Sequence, residues 1–234
     1  MRRGDMSGNG LIEEYRMDLP ELQEKTLRFD RSDYMTGYLW KRHKQSCVTV
    51  AKAFTTANGH KYLGILIYVQ TGIGKQKKWD WSSFHVRLMN TPKGECAIAF
   101  YTESGQAIKF TPHFFERYKE RFANVCGWKE RGELASAKTL TDIIAVYMKR
   151  NLSITWIETK SVFRDKIHIF APVNDGIALL QWSRNRKLLQ ANTFVTIDML
   201  DDKQMEMVRY ARTYLSLSRE DRKKFKYPGF IYGE

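Results

Sequence analysis

The segment Ser46–Val69 reads SCVTVAKAFTTANGHKYLGILIYV, and it decides the fold class. Apolar side chains recur near a period of two over Ser46–Thr55, which is typical of a half-buried strand, and Tyr62–Val69 is an apolar run of strand length. Asn58-Gly59 lies between them and is a strong signal for a two-residue hairpin turn. The segment therefore predicts an antiparallel β-hairpin.

Further strand-like segments follow the hairpin and are separated by turn signals. The predicted strands are Trp79–Met89, Cys96–Tyr101 and Ala107–Phe110. Proline and glycine in Thr91–Gly94, and the dipeptide Ser104-Gly105, indicate the turns between them. We therefore expect an antiparallel β-meander.

Helix signals appear after the meander. Thr111-Pro112 places a proline at the first helical position, and Thr139-x-x-Asp142 resembles a capping box. A second group of strands is predicted at Ser153–Glu158, Lys166–Phe170, Gly176–Ser183 and Lys187–Ile197, followed by a helix over Asp201–Leu215. The fold class is therefore α+β, in which an antiparallel β-meander is followed by helices, a second antiparallel sheet and C-terminal helices. We expect a polar N-terminal arm (1–40), the meander (41–110), an α+β core (111–200) and a C-terminal helical segment (201–234).

The charge balance indicates the class of partner. The 234 residues include 39 lysines and arginines against 26 aspartates and glutamates, a formal net charge of +13. A surplus of this size attracts phosphate backbones, because bound cations release the counterions that surround a nucleic acid. RNA or single-stranded DNA is the expected partner. The alternative is a charged surface that serves solubility and has no ligand.

Several other classes of protein are disfavoured. The sequence contains no run of about 20 apolar residues, so no membrane association is expected. A basic start followed by acidic residues does not resemble a signal peptide, which favours a cytoplasmic location. The three cysteines form no Cys-x-x-Cys pair and the five histidines are scattered, so we expect no disulfide framework, no metal site and no cofactor.

Basic residues alternate with aromatic ones in one segment of the meander. Lys75, Lys77 and Lys78 precede Trp79 and Trp81, a combination that is typical of surfaces on which single-stranded bases stack. The alternative is a solvated loop. Further basic candidates are Arg184, Arg186 and Lys187, which could equally form a charged hairpin tip, and the segments Tyr38–Lys44 and Arg219–Lys226. Together these segments favour an extended nucleic-acid contact over a single pocket.

In the predicted helix that begins at Pro112, the residues suited to packing and the polar residues lie on different faces. At 100° per residue, His113, Glu116, Arg117, Glu120 and Arg121 share one face, and aromatic residues occupy the other. Cleavage of RNA through its own 2′-hydroxyl requires a base, an acid and cations that hold the phosphate. The polar face contains these residue types, although an ordinary solvated face with i,i+4 ion pairs would contain them as well.

These residues resemble a family motif. His113, Glu116, Arg117 and Arg121 are similar to the His-x-x-Glu-Arg-x-x-x-Arg helix of a family of small bacterial proteins. That family is grouped with the barnase, EndoU, colicin and RelE-like ribonuclease toxins. The resemblance covers about Thr111–Phe122, and Phe114 stands where a small residue is expected. It implies that a curved antiparallel sheet, here Lys166–Ile197, bears the active site on its inner face.

Candidate roles follow for the site. His113 would act as acid or base, Glu116 would orient it, and Arg117 and Arg121 would hold phosphate. On the predicted sheet, Thr193 and Thr196 point to opposite faces, and Thr196 is the favoured catalytic partner. The leading expectation is a basic nucleic-acid-binding protein with metal-independent endoribonuclease activity of the toxin type, for which an antitoxin or another protein partner is an option. The alternatives are a non-catalytic nucleic-acid-binding protein of phage or mobile-element origin and a structural or assembly protein.

Overall fold

The computed structural model describes residues 8–42, 44–72, 78–101, 106–125, 134, 136–151, 157–160, 167–182, 188–218, 220–221 and 230–231. The chain divides into two compact units, Met1–Ile108 and Lys109–Glu234. The boundary falls close to the end of the predicted meander. Strands alternate with helices and the paired strands are antiparallel, which confirms the α+β class.

The Met1–Ile108 unit contains two helices followed by strands. Its elements are α1 (Gly8–Asp30), α2 (Asp33–Trp40), β1 (Cys47–Thr55), β2 (Lys61–Thr71), β3 (Lys78–Thr91), β4 (Gly94–Tyr101) and the first residues of β5 (Gln106–Phe110). Strands β1 to β4 form an antiparallel meander, in which Leu66 pairs with Val50 on one side and Ser83 on the other. Gly59 has a φ of 77° in the β1–β2 turn, a backbone conformation that glycine adopts without strain. The predicted hairpin is confirmed, but residues 56–60 join its strands in place of the predicted two-residue turn.

The N-terminal segment differs from the irregular arm that the sequence suggested. Most of its described length is α1, a helix of 23 residues that buries Leu11, Tyr15 and Leu22. Tyr15 stacks on Phe100 of β4 with ring centroids 4.2 Å apart, and Leu22 packs with Tyr62 of β2. The helix is therefore part of the hydrophobic core of this unit.

The Lys109–Glu234 unit begins with helices and continues into a second antiparallel set of strands. Its elements are α3 (Pro112–Val125), α4 (Leu140–Arg150), β6 (Ile157–Lys160), β7 (Ile167–Val173), β8 (Gly176–Trp182), β9 (Leu188–Thr196), a 3₁₀ turn (Ile197–Met199), α5 (Asp202–Ser216) and β10 (Phe230–Ile231). The strand order is β9-β8-β7-β6-β10. Thr139 and Asp142 form the predicted capping box at the start of α4.

Aromatic side chains form much of the core of this second unit. Phe114 of α3 contacts Tyr147 of α4 and Phe194 of β9 edge to face, with ring centroids 5.2 and 5.9 Å apart. Tyr118 contacts the same two rings at 5.0 Å. Aromatic pairs of this geometry contribute about 1 kcal/mol each beyond the area that they bury. They fix the rotation of α3 about its axis.

No helix in the described ranges is long and apolar enough to cross a membrane.

Candidate nucleic-acid interface

The polar face of helix α3 is exposed because the opposite, aromatic face packs in the hydrophobic core. The Thr111 hydroxyl accepts a hydrogen bond from the Phe114 amide at 3.2 Å and donates one to the Ala191 carbonyl at 3.2 Å, which anchors the helix start on β9. Phe114, Phe115 and Tyr118 are fully buried. The predicted separation into an aromatic and a polar face is therefore present for these residues.

The outward face brings His113 together with a carboxylate and a guanidinium. His113 Nδ1 lies 3.5 Å from Glu116 Oε2, and Arg117 Nε donates to His113 Nε2 at 3.4 Å. The side chains of His113 and Glu116 are 57% and 69% exposed. Nε2 therefore accepts a hydrogen bond from Arg117, and Nδ1 faces the Glu116 carboxylate. Arg117 must move aside before Nε2 can reach a substrate.

The two arginines of this face have structural partners. Arg117 forms an ion pair with Glu120 at 2.7 Å. Arg121 donates from Nη1 to the Phe194 carbonyl and so ties α3 to β9. A guanidinium carries five N–H donors, so both side chains keep donors for a phosphate oxygen. Arg121 therefore stabilises the helix position whether or not it also meets a ligand.

Thr196 does not fit the role that the sequence suggested for it. It lies at the end of β9 opposite Gly176 and is 2% exposed. Its hydroxyl has no hydrogen-bond partner among the residues that the structure describes. The period of two in a strand separates Thr196 from Thr193, but it does not tell which face of the strand is buried. The Thr196 side chain lies on a buried face. We therefore leave Thr196 out of the proposed site.

Several predicted binding residues lie outside the described residues. These are Lys75, Lys77, Arg184, Arg186 and Lys187.

The remaining predicted binding residues lie at the start of β3. The side chain of Lys78 is 72% exposed and lies 3.3 Å from Asp80. Trp81 is 37% exposed and its ring centroid lies 6.5 Å from that of Tyr68. Trp79 is half-buried. This strand end therefore carries both a cation and aromatic rings, but Lys78 lies on the opposite face of β3 from Trp79 and Trp81.

A second basic and aromatic segment meets this strand end. Met35 of α2, Val48 of β1, and Leu66 and Tyr68 of β2 form a buried group that we call the Met35 cluster. Trp79 packs on the Met35 cluster, and so does Tyr38 of α2. The segments Tyr38–Lys44 and Lys78–Trp81, which are distant in the sequence, therefore share one support. Sequence reasoning named both segments but could not place them together.

A buried carboxylate in the same unit was not found from the sequence. Asp18 of α1 is 1% exposed and accepts hydrogen bonds from Asn58 at 2.8 Å, His60 at 2.6 Å and Tyr62 at 2.7 Å. Burial opposes ionisation of Asp18, but the hydrogen bonds outweigh it and hold its pKa below the usual value. These donors lie in and beside the β1–β2 turn, so the contacts fasten α1 to the hairpin.

The second unit contains a comparable polar anchor. Asp175, in the β7–β8 turn, accepts hydrogen bonds from Tyr118 of α3 at 2.8 Å and from Arg150 Nη2 at 2.7 Å. Asn151 donates to the same carboxylate at 3.1 Å. Buried carboxylates with several charged and neutral donors are satisfied groups. Asp175 therefore holds the buried face of α3 through Tyr118, and its hydrogen bonds do not indicate a ligand site.

Comparison of the chain with protein-family models, with curated proteins and with solved structures finds no match. Within the described residues, no group of three or more His, Cys, Asp or Glu side chains is arranged to hold a metal ion.

Proposed function

We propose that the protein binds nucleic acid through exposed cations and aromatic rings of the Met1–Ile108 unit. The observation that carries the proposal is the shared support of Tyr38 and Trp79 on the Met35 cluster. It unites two segments that combine positive charge with aromatic surface. The net charge of +13 supplies long-range attraction for the same ligand.

Binding of this kind has two physical components. Lysines and arginines near the phosphates release counterions, and this component weakens as salt is added. Aromatic rings stack on bases, and this component depends little on salt or on base identity. Trp81 supplies the aromatic component, and the exposed Lys41, Lys44 and Lys78 supply the charge, Lys78 from the opposite face of β3.

Affinity for a labelled 12-nucleotide RNA is expected to fall about 20-fold when salt rises from 50 to 200 mM, if about three phosphates are contacted. Fluorescence anisotropy of the full chain measures it. Lys78→Gln is expected to make the slope of log affinity against log salt shallower by about 0.7, because one phosphate contact is lost. Absence of binding at 50 mM salt, or affinity that does not change with salt, would contradict the proposal.

A second candidate function is cleavage of the bound RNA at the polar face of α3. The observation that favours it is an exposed His113 in contact with both Glu116 and Arg117. His113 would take the proton of the 2′-hydroxyl, and Arg117 would hold the phosphoryl oxygens as charge builds on them. The 2′-oxygen would form a bond to phosphorus as the P–O5′ bond breaks, which leaves a 2′,3′-cyclic phosphate, and the leaving 5′-oxygen would take a proton from water. In this mechanism the nucleophile comes from the RNA, so no metal-bound water is required. A non-catalytic binding protein and an assembly protein are the competing proposals.

A further inference from the structure

Helix α2 carries a row of rings that ends in a cation. Tyr34 and Tyr38 are four residues apart, so they lie on the same side of the helix, with ring centroids 6.0 Å apart and planes 29° apart. The Arg42 guanidinium lies 3.6 Å from the centroid of the Tyr38 ring. At the other end, Phe29 of α1 lies 6.2 Å from Tyr34, and Lys52 Nζ of β1 lies 5.2 Å from the Phe29 ring. The row therefore consists of three neighbouring rings with a cation at each end.

Tyr34 is the member of this row that is not needed to fill the core. Met35 is completely buried and Leu39 packs beside it on the Met35 cluster, which is how α2 is held. Phe29 and Tyr38 also pack on the cluster, whereas Tyr34 is 63% exposed. Aromatic rings that leave most of their area in water next to cations are typical of surfaces that bind a partner.

The charges around α2 define the chemistry of that ligand. The segment from residue 28 to residue 52 contains two acidic residues, Asp30 and Asp33. It contains six lysines and arginines, namely Arg28, Arg31, Lys41, Arg42, Lys44 and Lys52. Arg28 pairs with Glu24 of its own helix, whereas Lys41, Lys44 and Lys52 are exposed. A polyanion with flat apolar groups matches this combination.

We propose that Phe29, Tyr34, Tyr38 and Arg42, here called the α2 platform, stack the bases of a single-stranded nucleic acid. The inference rests on the proposed function and names its substrate class. In a duplex the base faces are already stacked on each other, so a duplex can offer the platform its phosphates but not its bases. Trp81 lies beside Tyr68 of the Met35 cluster, on which Tyr38 also packs.

The test compares single-residue variants of the full chain by fluorescence anisotropy, with oligo(U), oligo(dT) and a duplex of equal length. Tyr34→Ala and Tyr38→Ala are each expected to lower affinity for both single strands about tenfold, which is typical for the loss of one stacked base. Tyr34→Phe keeps a ring and is expected to stay within about threefold of the wild type. Met17→Ala is the matched control, because Met17 is also a large, 74% exposed side chain but lies on α1. Circular dichroism shows that each variant is folded.

The outcomes separate the inference from the function on which it rests. Wild-type binding with unchanged affinity in both alanine variants would overturn the α2 platform and leave nucleic-acid binding standing. An equal loss of affinity for the duplex would also overturn it, because stacking cannot account for that loss. Failure of the wild-type chain to bind any of the three ligands at low salt would remove the proposed function itself. A loss for oligo(U) and oligo(dT) alike supports stacking, since a ring does not read the 2′-hydroxyl.

Discussion

Substitution of His113 by alanine is expected to slow RNA cleavage by 100-fold or more while affinity for the RNA stays within about threefold. The imidazole would act when the 2′-hydroxyl loses its proton, and removal of a positioned acid or base costs about 10²–10⁴ in rate. His113 is assigned no phosphate contact in the bound state, so binding would be preserved. Single-turnover cleavage of a labelled RNA, measured with saturating protein, separates the chemical step from binding.

Two controls make the cleavage prediction specific. Arg117→Ala is expected to weaken both binding and cleavage, because a cation that holds phosphate acts in the ground state and in the transition state. The same RNA with 2′-deoxy sugars is expected to resist cleavage, and a chelator is expected to have no effect, because the nucleophile belongs to the RNA. Full-rate cleavage by His113→Ala, or cleavage of DNA, would contradict this mechanism.

The free energy of unfolding is expected to fall by about 3 kcal/mol between pH 7 and pH 4 through His85 alone. His85 of β3 is 4% exposed, with Nε2 2.9 Å from the Thr26 hydroxyl of α1, and burial lowers its pKa from 6.5 to about 4. In the unfolded chain His85 therefore becomes protonated below pH 6.5, whereas in the folded chain it stays neutral until the pH approaches about 4. This contribution to stability is complete above pH 6.5 and is lost as the pH falls toward 4.

Urea unfolding at several pH values measures the effect, and His85→Gln serves as its control. Glutamine keeps a polar partner for Thr26 but does not titrate, so the decrease between pH 6.5 and pH 4 should become shallower by about 3 kcal/mol. The low pKa of Asp18 adds a decrease at more acidic pH, because that carboxylate stabilises the fold only while it is ionised. An unchanged slope in His85→Gln would contradict the assignment.

Local signals in the sequence predicted the local structure. Asn58-Gly59 and the apolar alternation around it identify the β1–β2 hairpin, and Thr111-Pro112 identifies the start of α3. Each signal acts within a few residues, so no knowledge of the tertiary structure was required. The polar and aromatic faces of α3 follow from helical periodicity for the same reason.

Features that depend on contacts distant in sequence could not be predicted. Helix α1 looked polar because Asp18, Thr26 and Glu14 interrupt its apolar stripe. These side chains, however, bond to His60 of the β1–β2 turn and to His85 and Arg87 of β3. Thr196 was assigned to the correct strand, but the sequence does not tell that its face is covered. The hydrogen-bond partners of Asp18, Thr26 and Glu14 lie more than 40 positions away in the sequence, so local patterns could not reveal them.

The same limit applied to the candidate interface. The segments Tyr38–Lys44 and Lys78–Trp81 could each be singled out from composition. Their shared support on the Met35 cluster depends on the packing of α2 against β1 and β2. Tyr34 was missed because a single tyrosine before a basic segment carries no signal until its ring is seen beside Tyr38.

Photo-crosslinking without a linker tests the central claim most directly. The full chain is irradiated with a single-stranded oligonucleotide that contains 4-thiouridine, and mass spectrometry identifies the crosslinked residues. Crosslinks form where a base contacts a side chain, so the α2 platform predicts them at Tyr34 and Tyr38, and predicts that an excess of unmodified single strand suppresses them. Absence of crosslinks at these residues, with crosslinks confined to peptides of the Lys109–Glu234 unit, would contradict the account.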